Sequence, residues 1–309
     1  MAGDKIIDNW KTFHPDAAHK RDEYLEKSLL ISELTILGWT HFTRAMLHAQ
    51  EADTHDEEFE FHYLVGGELD WWVEDKRYTL RNGDLIMTRP GELHGAKNGV
   101  LQPSEFYWLR VKDSKKKGCL GLSLPEWSDL RRKLLSESTH VFRAPEPIHV
   151  CFRKLIAEHR QPDSVSAWMC RALVCELLLW VARTKDNQPS PEVGNRAPIT
   201  FVTRKALRTI HLLLDKDITH SPLISELADQ AGLSESAFRR RFEHDMGISP
   251  SAYISRRRIE LAGNLLRSGK GVTDVAFKLG FSSSQHFSAT FKKATGFTPT
   301  DYIIANDGR

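Results

Sequence analysis

Arg239 and Arg240, with Ser236 just ahead of them, sit in a helical pattern whose other side carries Phe238 and Phe242 at i, i+4. A guanidinium is a planar fork that matches O6 and N7 of guanine, so the chemistry on offer is the reading of base edges rather than the making of bonds. A similar segment further along puts Ser284, Gln285 and Ser288 at comparable exposed positions. Arg44 offers something different, because it lies on a strand pattern expected to face the inside of a sheet, without a nearby acidic partner. A guanidinium taken out of water needs an anionic or hydroxyl-rich partner, which makes Arg44 the first candidate clamp for a small ligand; the alternative is an ordinary surface arginine. Eight tryptophans, seven of them before Val174, add flat apolar faces that can stack on a sugar or an organic ring, although most belong to the core. Cys119, Cys151, Cys170 and Cys175 include no Cys-x-x-Cys pair, and the last three fall in apolar helical patterns. Buried thiols are expected there rather than disulfides, zinc or redox chemistry.

The elements that must position the arginines are written twice. Leu227-Ala228-Asp-Gln-Ala-Gly232-Leu-Ser234 is echoed by Val275-Ala276-Phe-Lys-Leu-Gly280-Phe-Ser282 at an offset of 48. Phe238, Phe242, Gly247, Pro250 and Tyr253 are echoed by Phe287, Phe291, Gly296, Pro299 and Tyr302 at an offset of 49. The extra residue falls between Gly280 and Phe287, where a turn passes into a helix and an insertion costs least. In each copy a small Ala lets two helices cross closely, a Gly supplies the turn, and a Ser such as Ser234 can cap the following helix. This is the grammar of a helix-turn-helix, whose second helix enters the major groove. Between the copies, Pro250 to Arg267 reads as one amphipathic helix carrying Arg256, Arg257 and Arg258. Its length of ~27 Å can hold two such units about one turn of DNA apart.

The rest of the chain sets the scale. With 309 residues, 40% hydrophobic and 27% charged, two ordinary globular domains are expected, and collagen-like, low-complexity or largely disordered chains are excluded. The Pro-rich polar stretch 186–198 reads as a linker. After it come 16 Lys+Arg against 11 Asp+Glu, a balance of +5; residues 1–198, the linker included, hold 27 against 30, a balance of −3. A basic rear half suits a polyanionic partner. The longest apolar stretch, Ala172 to Ala182, contains Glu176 and falls short of the ~20 residues a bilayer span needs. The start, Met-Ala-Gly-Asp-Lys-Ile-Ile-Asp, lacks the regions of a signal peptide, so a cytoplasmic location without membrane contact is expected.

From Gly280-Phe-Ser-Ser-Ser-Gln-His-Phe287-Ser-Ala-Thr-Phe291 through Gly296-Phe-Thr-Pro299-Thr-Asp-Tyr302, the chain resembles the DNA-binding domain of the AraC/XylS family of bacterial transcription regulators. The resemblance covers about 100 residues, from Thr203 onward. It implies double-stranded promoter DNA as a partner, RNA polymerase as a second one, and activation of transcription as a role. Arg258 stands where the family has an Arg on its linking helix, more often a buttress than a base reader. Ala289 stands where the family commonly has an Arg in the second reading helix, so the second unit is expected to read less sequence.

The front half changes to short runs rich in Leu, Ile, Val and aromatic residues: 29–39, 42–49, 58–65, 68–73, 77–80, 84–88 and 106–111, with Gly66-Gly67 and Asn82-Gly83 read as turns. Such spacing argues for a barrel or double-sheet jelly roll. The run Gly67-Glu68-Leu … Asn82-Gly83-Asp84-Leu-Ile … Pro90-Gly91-Glu-Leu-His94 resembles the cupin-type sensor domain that precedes many AraC-type DNA-binding domains. Cupins often hold a metal with histidines and a carboxylate, which brings His55, Glu60, His62 and His94 forward as ligand-binding candidates. Strand alternation points Glu60 and His62 to one face and Phe59, Phe61 and Tyr63 to the other. The enzymatic His-x-His start is absent, since His55 is followed by Asp-Glu-Glu, and the sensor domains of this resemblance usually carry no metal. No metal and no cofactor is therefore expected, and the same histidines can serve as hydrogen-bonded or exposed side chains.

The expected fold is α+β. A cupin-like barrel or jelly roll with flanking helices occupies 1–185, with the barrel at about 25–112 and helices at about 122–185. The linker 186–198 follows, and then an all-α domain with two helix-turn-helix units at 199–309. Val165 to Lys185 carries apolar residues on more than one face, so one stripe can pack on the barrel and another on a second subunit, making a homodimer. The expected function is a transcription regulator that senses a small molecule, by resemblance a sugar or related metabolite, and is not an enzyme. The alternatives are a metal-dependent cupin enzyme fused to a nucleic-acid-binding domain, and a constitutive DNA-binding protein without an effector.

Overall fold

The computed structural model describes residues 19–43, 46–47, 53–96, 100–136, 139–185, 200–219, 221–267, 269–295 and 297–306. The expected linker and Arg44 lie outside them. Among the described residues, ten strands build the front half: β1 (His19–Leu25), β2 (Leu34–Phe42), β3 (Met46–Leu47), β4 (Glu58–Val73), β5 (Lys76–Arg81), β6 (Asp84–Thr88), β7 (His94–Ala96), β8 (Val100–Leu101), β9 (Ser104–Lys112) and β10 (Val141–Arg143). The main sheet runs β1-β2-β9-β4-β6-β10, and β5 and β7 pair with the far half of β4.

The 16-residue β4 therefore serves two sheets. Gly66-Gly67, expected as a turn, is instead a bulge within it: the register shifts between Leu64 and Gly66, and Gly67 has φ of +90°. A Cβ there would lie 2.4 Å from the Pro103 carbonyl oxygen, so glycine lets the strand bend around a barrel corner without breaking. Asn82-Gly83 is a turn as expected. The barrel also starts earlier than the sequence pattern suggested, at β1, and recruits β10 from among the helices.

Alternation divides the main sheet cleanly. One row across it, Tyr24-Leu37-Leu109-Phe61-Met87, packs outward against α1 (Leu124–Leu135), α2 (Glu146–Arg160) and α3 (Ser166–Thr184). The adjacent row, Gly38-Trp108-His62-Ile86-Val141, faces the barrel interior. Gly38 is small for a reason, because a Cβ would stand 2.1 Å from the Trp108 ring that lies across it. Cys119, Cys151 and Cys170 are buried free thiols and Cys175 is half-buried; burial pushes the Cys151 and Cys170 thiols up to about 12, which makes them poor nucleophiles.

The rear half is helical: α4 (Phe201–Lys216), α5 (Ile224–Gln230), α6 (Glu235–Met246), α7 (Pro250–Arg267), α8 (Val272–Lys278), α9 (Ser284–Thr295) and α10 (Pro299–Asn306). Each copy of the repeat has its own core. Ala228, Phe238, Phe242 and Tyr253 are buried in the first, and Ala276, Phe287, Phe291 and Tyr302 in the second. Fully burying one such Phe contributes ~1.5–3 kcal/mol, so each aromatic pair is a large share of a small unit's stability. Gly232 and Gly280 both take positive φ, +67° and +72°, at the turns where the repeat demanded glycine. Gly296 lies outside the described residues. Among the described residues, no helix is long and apolar enough to cross a membrane.

Candidate functional site

The two reading helices are α6 and α9. The Ser234 hydroxyl caps α6 by accepting from the Ala237 N–H, and Ser283 does the same for α9 through the His286 N–H. On α6, Ser236 and Arg240 are one turn apart and exposed. Arg239 is on the flank of that face and is engaged: its Nε and Nη2 donate to Glu235 at 2.9 and 2.6 Å, and its Nη1 to the Ser251 hydroxyl at 3.4 Å. On α9, Gln285 and Ala289 are exposed, whereas Ser284 and Ser288 are half-buried. Behind this surface Arg258 donates to the carbonyl of Leu279 at the end of α8, which is a buttressing contact. Asp245, at the end of α6, accepts from the Thr200 N–H and from the Thr200 and Thr203 hydroxyls at 3.0, 2.6 and 2.7 Å. It thereby fastens the start of α4 to the reading helix.

A second concentration of chemistry lies in the barrel. Glu60 and His62 share a face, as alternation predicted, and β7 brings His94 against them. The His94 Nε2 lies 2.6 Å from Glu60 Oε2, and its Nδ1 donates to the Glu92 carbonyl at 2.9 Å. The Nε2 atoms of His55 and His62 are 3.6 and 3.2 Å from the same carboxylate. Arg110 Nη1 contacts the His55 ring at 3.1 Å. Burial pushes the Glu60 carboxyl up, but the imidazoles of His62 and His94 outweigh it and hold Glu60 well below its usual range. Burial pulls His94 down, and Glu60 more than reverses this, leaving it raised.

Donor atoms of His55, Glu60 and His94 all lie within 4.8 Å of one another. The bond from His94 Nδ1 to a carbonyl orients the ring with Nε2 toward the carboxylate, the arrangement that metal-ligating histidines use. Two imidazoles and a carboxylate fit a first-row divalent ion, so the residues present suit the metal that the cupin resemblance raises.

Three participants escaped the sequence reading. Asp53 is held beside His94 by paired backbone bonds of 2.7 and 3.0 Å, and its Oδ2 is 3.3 Å from His55 Nε2. Arg110 follows Trp108 by two on β9, so the alternation that placed Glu60 could have placed it as well. Arg257 comes from the other half of the chain: its Nη1 is 3.6 Å from Asp53 Oδ1, and both side chains are less than a tenth exposed. Around this pair α4 and α7 dock on the barrel. Arg208 and Arg204 reach Glu74 at 2.5 and 3.5 Å, Arg77 donates to the Asp245 carbonyl at 3.4 Å, and Trp72 and Leu93 pack with Ala206, Leu207 and Ile210. His211, bonded through Nε2 to the Tyr253 hydroxyl at 2.6 Å, is pushed down to about 3 by burial and by Arg257.

Residues 227–303 match the family described as a helix-turn-helix domain, and residues 47–110 match the cupin domain. The chain is similar to the virulence regulon transcriptional activator VirF of Yersinia enterocolitica, with 24% identity over 275 residues, 87% of this chain and 94% of that protein. It is similar over 83 residues to the transcriptional activator RhaS of Escherichia coli O9:H4 (strain HS), with 39% identity across 26% of this chain and 30% of that protein. Among solved structures, ToxT from Vibrio cholerae O395 covers 95% of this chain and 100% of its own at 11% identity, with a TM-score of 0.44.

Proposed function

For a chain that belongs to the AraC/XylS family of transcription regulators, we propose a one-component regulator in which the barrel senses a small molecule and the two helix-turn-helix units read a promoter. The observation that carries this reading is the pair of equivalent cores, each holding up a capped reading helix, joined by the single helix α7. No covalent step is assigned to the barrel.

The effector site is the barrel interior around His62. The His62 Nδ1 and the Trp71 Nε1 are buried and make no hydrogen bond to a described residue, and the two rings lie 4.8 Å apart. Buried polar groups of this kind call for a partner, and an aromatic wall with free donors suits a hydroxylated molecule such as a sugar or related metabolite. The chain works as a homodimer through α3, whose outward side carries Val165, Trp168, Met169, Ala172 and Leu179, with Trp168 71% exposed. A stripe of that spacing suits a second copy of itself, and doubling the DNA-binding unit doubles its phosphate contacts. Activation through RNA polymerase and a cytoplasmic location follow from the family reading.

Selection of genomic DNA on the purified full chain tests the assignment, followed by thermal shift against metabolites suggested by the neighbouring genes. Recovery of a common sequence, and a melting shift that His62→Ala removes, is the expected result. Recovery of random DNA would overturn the regulator; an unshifted melt across the panel would leave a constitutive DNA-binding protein.

A further inference from the structure

We propose that Arg257 fills, from the DNA-binding half, the cation position of a divalent-metal site made by Asp53, His55, Glu60 and His94, so that metal uptake and docking of α7 on the barrel exclude each other. This goes beyond the effector reading and does not depend on it. The donor atoms of His55, Glu60 and His94 are already gathered within 4.8 Å, and the Glu92 carbonyl orients His94. Asp53 faces two ways: Oδ2 lies 3.3 Å from the His55 Nε2 and Oδ1 lies 3.6 Å from the Arg257 guanidinium. The carboxylate that would complete the metal's ligand set is thus the one that holds the arginine.

The charges make the two occupants alternatives. Asp53 and Glu60 are both buried, and a buried carboxylate needs a compensating cation. Within the barrel Arg110 of β9 approaches Glu60 at 3.9 Å, and in the docked arrangement Arg257 approaches Asp53. A dication placed among the same donors neutralises Asp53 itself and repels a guanidinium a few ångströms away in a poorly hydrated setting. Two imidazoles with carboxylates favour a first-row transition ion such as Zn²⁺, Ni²⁺ or Co²⁺ over Mg²⁺ or Ca²⁺. The released element is α7, which joins the two reading units and whose next residue, Arg258, buttresses the second one at Leu279. Metal therefore acts on the helix that spaces the readers, and by linkage whatever pulls α7 off the barrel tightens the metal.

The test uses the full chain and Co²⁺, followed by its visible absorption and by equilibrium dialysis, with circular dichroism confirming that each variant folds. One Co²⁺ per chain is expected, lost in Glu60→Gln and in His94→Ala. Arg257→Met, which keeps the bulk and removes the charge, should bind Co²⁺ at least tenfold more tightly than wild type, whereas Arg257→Lys stays near wild type. Small-angle scattering should show the wild-type chain expanding as Co²⁺ saturates it. Absence of Co²⁺ binding at tenth-millimolar metal in both wild type and Arg257→Met would overturn the site, as would undiminished binding in Glu60→Gln. Equal affinity in wild type and Arg257→Met would overturn the exclusion.

Discussion

Replacing Arg240 by Ala removes a side chain that is exposed on α6 and has no hydrogen bond or ion pair to another described residue, so the folded protein should lose no more than ~0.5 kcal/mol. Its loss on DNA is larger. A bidentate arginine-guanine contact carries ~1–3 kcal/mol of discrimination, which at ~1.4 kcal/mol per decade is roughly 5- to 150-fold in affinity. Arg239 starts from a different position, because it is already paired with Glu235 at 2.6 Å and must leave that partner to reach a base. An exposed i, i+4 pair is worth ~0.3–0.5 kcal/mol, so Arg239→Ala should cost correspondingly less than Arg240→Ala. Fluorescence anisotropy on the selected duplex, repeated on duplexes changed one base pair at a time and at several salt concentrations, separates the roles. A base reader loses preference at one position, whereas a phosphate contact weakens all sequences evenly and lowers the salt slope by about 1. If Arg240→Ala keeps its affinity within twofold together with an unchanged base preference, the reading face of α6 has been drawn on the wrong side.

Ala289 is exposed on α9 where a long side chain would reach a base, so the half-site of the second unit should be the more degenerate in a base-substitution scan; a sharper second half-site would contradict this. Asp245→Ala strips three hydrogen bonds from the start of α4 and should cost about 2–3 kcal/mol in urea unfolding, with loss confined to a few tenths counting against the fastening role. Burial raises the Glu92 carboxyl, but the His140 hydrogen bond and charge and the Arg89 contacts prevail and hold it at about 2. Its contribution is therefore complete above the ordinary 4.5 and is lost as pH falls toward 2, so the gap in melting temperature between wild type and Glu92→Gln should close over that range. Trp168→Glu should turn a dimer into a monomer in light scattering without lowering the melting temperature of the barrel.

How far the sequence reaches depends on whether a residue's partner is local. The rear half was legible because two copies keep Ala228 with Ala276, and Phe238 with Phe287, at one spacing, and each pattern closes within a single helical hairpin. In the barrel, period-two alternation puts Glu60 and His62 on one face without saying which face is inward, and residue type alone offers convergence with His94 as one option. The first strand escaped because His19–Leu25 is rich in charge; its burial depends on remote partners such as the Arg160 that binds Asp22 at 2.5 Å. A Gly pair signals either a turn or a bulge, and only the pairing of β4 on both sides of Gly66-Gly67 decides between them. The approach of Arg257 to Asp53 has no local signal at all, since it arises from docking two domains far apart in the chain.

That docking also bears on how a barrel could govern DNA binding. Coupling between two ligands usually amounts to ~1–3 kcal/mol, so the contact that carries it must be worth at least that much. Glu74 with Arg208 is half exposed on the arginine side, and a pair of that kind contributes ~0–1 kcal/mol, too little to act as a switch. Breaking a buried pair by removing one partner costs ~3–5 kcal/mol because a desolvated charge is left behind. Of the ion pairs described across this interface, Asp53 with Arg257 is buried on both sides, and His55 lies between Asp53 and Glu60 at 3.3 and 3.6 Å. A ligand that reorganises the charges around Glu60 thus reaches the DNA-binding half through two short contacts, without having to deform either helix-turn-helix.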